Sequence, residues 1–172
     1  MKVLTLVFSA VIASTAIPAC AAPDQWPPIK PGYWEVSTIF FSDTRHPVVS
    51  DYCIDEKTTK IIKWVIEGGL NPSCPDTKED ISGRRVVIDT ICKEHSAEYS
   101  VHITADFPTD SKFHSVSTVH AVRPKRMPDS SIPKDGKWVG ACPKDIRPGD
   151  AMMGDGAFVH ITPTGRIRPI NP

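Results

Sequence analysis

The chain has 172 residues, with 20 basic and 20 acidic side chains and a formal charge of zero. That balance provides no cationic field for nucleic acid or for an anionic membrane surface. The length suits one ordinary domain, and 17 prolines argue for turns and loops rather than long helices.

Residues 1–21 have the layout of a secretory signal peptide: Lys2 gives the positive start, Val3 to Ile17 is apolar or small, and small residues crowd Ala19 to Ala22. This apolar run is shorter than the roughly 20 residues that a bilayer span takes. Two processing routes fit it. Ala19-Cys20-Ala21 follows the A-x-A rule and predicts a mature chain starting near Ala22. Ile17-Pro18-Ala19-Cys20 is similar to a lipoprotein box, in which Cys20 is lipidated and anchors the domain without a spanning helix. Either way about 150 residues remain, with 19 basic side chains against 20 acidic ones once Lys2 is removed.

Residues 22–32 form a proline-studded lead-in, and 33–172 read as a single domain with a loop-rich tail. Tyr33 to Phe41 is rich in aromatic and β-branched residues and predicts a strand with Trp34, Val36, Thr38 and Phe40 on one face. Trp34 and Phe40 are candidates to line a cup for an apolar ligand, although both also suit a core. Pro47 to Cys53 is a shorter strand, read as an edge because it opens with proline. Asp55 to Glu67 predicts a helix capped by Asp55 and stopped at Gly68-Gly69. Ile61, Ile62, Val65 and Ile66 form its apolar stripe, Trp64 flanks the stripe, and Lys57, Lys60 and Lys63 face water.

Beyond Cys20 the cysteines are Cys53, Cys74, Cys92 and Cys142, an even set that reads as two disulfides in an exported chain. None has the C-x-x-C spacing of a structural zinc site. Ser82-Gly83 lies midway between Cys74 and Cys92, so a hairpin turning there brings the two cysteines opposite each other. That favours Cys74–Cys92 with Cys53–Cys142; the alternative is Cys53–Cys74 with Cys92–Cys142.

From Ala97 to Phe107 the odd positions are apolar and the even ones polar, which predicts a half-buried strand returning as Lys112 to Val122. Pro124 to Gly136 reads as a polar loop with three prolines, and Lys137 to Cys142 as a short strand or turn. The tail from Pro143 reads as loop, with a small strand at Ala157 to Ile161. Consecutive strands and one helix predict an α+β fold: a twisted antiparallel meander covered by the helix and braced by disulfides.

Pro31-Gly32-Tyr33-Trp34-Glu35-Val36 resembles the P-G-x-W-E-V opening of the bacterial envelope proteins grouped as domain-of-unknown-function family 3617. Further landmarks follow in that family's order. They are Cys53 ahead of a helix, the Cys74 to Cys92 hairpin with its central Ser-Gly, Gly140-Ala141-Cys142-Pro143, and Pro148-Gly149-Asp150. The chain departs from the pattern between its first strand and Cys53, and in the proline-rich loop before Gly136. The resemblance implies a periplasmic or lipoprotein setting and transfers no catalytic residue.

The sequence assigns no catalytic residue, metal or cofactor. G-x-S-x-G, H-E-x-x-H and P-loop patterns are absent. His102, His114 and His120 on adjacent strands, and Met152-Met153 with His160, are candidate metal ligands, but each set lacks the remainder of a recognisable site. The leading expectation is a cell-envelope module that binds a small apolar ligand or another envelope component. The alternative is a hydrolase-like periplasmic enzyme whose cleft gathers two or more of His102, His114, Asp106 and Glu98.

Overall fold

A computed structural model describes residues 25–40, 46–68, 74–123, 128–162 and 165–170. The leader, including Cys20, lies outside these. Ten strands follow in chain order: β1 (Gly32–Thr38), β2 (Val48–Ile54), β3 (Lys78–Ser82), β4 (Arg85–Glu94), β5 (Ala97–Thr109), β6 (Lys112–Arg123), β7 (Ser130–Gly140), β8 (Asp150–Met152), β9 (Phe158–Ile161) and β10 (Ile167–Pro169). One helix, α1 (Lys60–Glu67), lies between β2 and β3.

All ten strands join one antiparallel sheet in the order β10-β9-β8-β2-β1-β7-β6-β5-β4-β3. β3 to β7 form a continuous meander. The β1–β2 hairpin then docks β1 against β7, and β8 to β10 extend the sheet beyond β2. The N-terminal strands therefore end up in the middle.

This architecture corrects the α+β expectation, since the fold is predominantly antiparallel β with one short helix among the described residues. Three local effects account for the difference. Residues 56–59 form a turn, so the helix starts at Lys60 rather than Asp55. Asp55 caps that turn: its Oδ1 accepts hydrogen bonds from the Lys57 and Thr58 N–H groups and the Thr58 hydroxyl, at 3.0, 2.9 and 2.8 Å. The hydrogen bonds from Thr58 hold the Asp55 carboxyl below its usual range.

Second, the segment read as a proline loop is the first half of β7, with Pro133 in register with Val116 of β6. Backbone N–H and C=O of a residue point to the same side in an antiparallel strand. The Pro133 carbonyl accepts from the Ile39 N–H, so its missing donor faces β1 just beyond Thr38, where β1 ends. Third, the tail adds three short strands, and β8 occupies the side of β2 that proline had marked as an edge, pairing only with Asp51 and Tyr52.

Strand alternation sorts the sheet into two faces. The inner face carries Trp34 and Val36 of β1, Val86 and Ile88 of β4, and Val101, Ile103 and Phe107 of β5, all buried. Against them α1 lays Ile61, Ile62, Val65 and Ile66. Phe113 of β6 lies opposite Gly136 of β7, and a Cβ there would fall 1.9 Å from Phe113 Cε1. The absent side chain is what lets that ring lie flat and continue to Trp34 and Phe107, with centroids 6.0 Å away in each case.

Gly83 and Arg84 form the two-residue turn between β3 and β4, with Gly83 at φ +62°. Cys74 and Cys92 are bonded behind it, with Cα atoms 4.0 Å apart. Cys53 of β2 is bonded to Cys142 just past β7, with a Cα separation of 5.5 Å. This second bridge straddles β1, because Tyr33 is the register partner of both Cys53 and Gly140.

Candidate functional site

An eight-residue helix is about 12 Å long, whereas ten strands spaced at about 4.8 Å span roughly 43 Å. α1 therefore covers only part of the inner face. Clefts remain on both sides of it, and Trp64 lines both.

The first cleft, about 900 Å³, lies between α1 and the lead-in. Its apolar lining includes Trp26, Ile29, Ile62, Trp64 and Phe107. The described part of the lead-in, residues 25–31, is irregular but fixed. The Trp34 indole N–H donates to the Lys30 carbonyl at 2.8 Å, and the Trp138 indole N–H to the Pro31 carbonyl at 3.0 Å. Trp26 packs edge-on against Phe107 at 6.1 Å and donates to Glu79 at 2.9 Å. Lys63, expected to face water, pairs with Glu79 and with Glu67. Burial pushes the Glu67 carboxyl up; in Glu79 burial has the same tendency but is outweighed by hydrogen bonds from Lys63 and Trp26, which lower it.

The second cleft, about 420 Å³, lies at the C-terminal end of α1. Phe40, Val48, Tyr52, Trp64, Ile132 and Met153 give it apolar walls, and Phe40 and Val48 keep 42% and 37% of their surface exposed at its mouth. Among the described residues its one cationic lining residue is Lys134, only 7% exposed. Lys134 Nζ donates to the carbonyls of Val65 and Ile66 at 2.8 and 3.2 Å. The Val65 carbonyl also accepts from the Gly68 N–H at 3.2 Å, and the helix dipole at this C-terminus favours a cation. No described carboxylate pairs with Lys134, and burial pushes its ammonium down to about 8. Ser115 faces Lys134 across β6 and β7, Ser117 faces Ile132, and both serine hydroxyls are buried without a partner among the described residues.

The two proposed ligand-lining residues separate. Phe40 lines the second cleft, but Trp34 is 0% exposed and lines neither cleft. Its indole is consumed by the stack on Phe113 and the hydrogen bond to Lys30, so Trp34 is a core residue. The histidine candidates are spread over the opposite, outer face. His102 pairs with Asp89 at 2.7 Å, His114 with Asp135 at 2.8 Å, and His120 with Asp129. Asp106 lies opposite His114 but is engaged by Arg85, and Glu98 by Arg123. These groups stand on an open sheet surface and line neither cleft. Met152 is exposed on β8, Met153 lines the second cleft, and His160 bonds the buried Asp150. Among the described residues, no three His, Cys, Asp or Glu side chains are grouped so as to hold a metal.

Fold and clefts together define a disulfide-braced antiparallel β domain whose inner face is only partly covered by its helix. The family model described as "Protein of unknown function (DUF3617)" matches residues 29–142, and the chain belongs to that family. No curated protein and no solved structure matches it.

Proposed function

We propose that this chain is an exported cell-envelope protein that holds a small apolar or amphiphilic ligand between its helix and its sheet. The observation that carries the reading is the pair of aromatic-lined clefts flanking α1 and sharing Trp64. Both volumes fall in the range of small-molecule sites, and apolar walls with few polar groups are what such sites present. Export is supported by the leader-like residues 1–21 and by two disulfides, which persist in oxidising compartments. No described helix is long and apolar enough to cross a membrane. The hydrolase-like alternative is less well supported, because His102, His114, Asp106 and Glu98 share no cleft.

Two measurements test this reading. Intact mass of the protein from its native host reports export: a chain starting at Ala22, or at an acylated Cys20, supports it, and an unprocessed Met1 chain overturns it. Titration with decanol while following tryptophan fluorescence reports the clefts. A saturable change supports ligand binding, and a flat response refutes it.

A further inference from the structure

We propose that the second cleft takes a carboxylate with an apolar tail, its head at the Lys134 ammonium and its tail along Phe40, Val48, Ile132 and Met153. This rests on the ligand-binding reading above and names the ligand's chemistry. Lys134 spends two of its three N–H donors on the Val65 and Ile66 carbonyls, and no described group takes the third. Two neutral carbonyls satisfy hydrogen bonds but do not cancel a charge, and an unpaired buried cation is costly. A ligand anion would supply the missing counter-charge in surroundings that strengthen the pair.

The same surroundings favour a single carboxylate over a phosphate. Among the described residues one cation lines the cleft, whereas a phosphate carries more charge and more acceptor oxygens. Asp155, on the exposed rim with its Oδ1 accepting from the Ala157 N–H, adds negative charge at the mouth and disfavours a polyanion further. The exposed rings and methyls of Phe40 and Val48 extend the apolar path outward from the lysine, as a tail requires. Ser115 and Ser117, in register with Lys134 and Ile132, are buried beneath the cleft surface and are not among its lining residues. Although burial lowers the ammonium to about 8, it remains mostly charged at neutral pH.

The test is calorimetric titration of the full-length mature protein with decanoate and, separately, with decanol at pH 7. A charge-assisted contact predicts that decanoate binds ~10-fold or more tightly than decanol. In Lys134→Met that preference disappears. Equal binding of the two ligands by wild type, or a preference that survives in Lys134→Met, overturns the head-group assignment and leaves the cleft reading standing. Binding of neither ligand overturns both. Should Lys134→Met not fold, the wild-type side chain decides: its Cε–Hε NMR signal moves with decanoate and holds with decanol, and an unmoved signal with decanoate overturns the proposal.

Discussion

Lys134 makes the stability of this domain depend on pH in an unusual direction. Its ammonium falls from 10.5 to about 8 on burial, a difference of about 3.4 kcal/mol between the protonation states. The unfolded chain therefore binds more protons than the folded one between pH 8 and 10.5, and stability rises with pH across that window. Below pH 8 both states are protonated and the full penalty is present. Integrating the two titrations, the folded state gains about 2.5 kcal/mol between pH 7 and pH 10 from this residue alone. Burial raises the Tyr33 and Tyr52 phenols above their ordinary value. Urea unfolding with the disulfides intact, at pH 7, 8, 9 and 10, measures the effect as the difference between wild type and Lys134→Met. The curves converge or cross as pH rises if the ammonium is desolvated as described. Parallel curves would refute the reasoning, because they would mean that Lys134 is solvated in the folded state.

Other perturbations follow from the packing. Cys53–Cys142 closes a separation of 89 residues and Cys74–Cys92 one of 18, so chain entropy assigns them about 4.6 and 3.2 kcal/mol. Denaturation midpoints of the Cys53→Ala/Cys142→Ala and Cys74→Ala/Cys92→Ala variants should therefore fall in that order. Gly136→Ala places a methyl group 1.9 Å from Phe113 Cε1 and should cost about 1–3 kcal/mol in thermal unfolding, much of it recovered by adding Phe113→Leu. Trp26→Ala removes a half-buried ring, its contact with Phe107 and its bond to Glu79. It should cost about 2 kcal/mol and free the lead-in, read as faster amide exchange at Ile29 and Lys30.

The readable parts of the fold were those fixed by local period. The odd–even alternation of β5 sets which residues are buried, and the Ile61, Ile62, Val65, Ile66 stripe sets the helix face, because both depend only on neighbours in the chain. Cys74 and Cys92 flank Ser82-Gly83 almost symmetrically, which is also a local fact. The first half of β7 was hidden because Pro133 signals a loop unless one knows that its missing N–H falls at the end of β1. β8 and β10 have three residues each, too few to show a period. The candidate site was less legible. Ile132, Lys134, Gly136 and Trp138 do alternate in phase with the inner face, so a lysine in a core register was visible in principle. What buries it, the carbonyl end of a helix 68 residues earlier, is a tertiary fact. Trp34 and Phe40 share a strand face, but only the stack on Phe113 shows that one is core and the other borders a cleft.

The central claim, that ligand is held beside α1, is tested most directly by titrating isotope-labelled protein with decanol and mapping the amide and indole shifts. The account predicts saturable shifts concentrated at Trp64 and at Trp26 and Phe107, or at Phe40, Tyr52 and Met153, with the outer-face residues around His102 and His114 unmoved. Shifts confined to the outer face, or none at all, would contradict it.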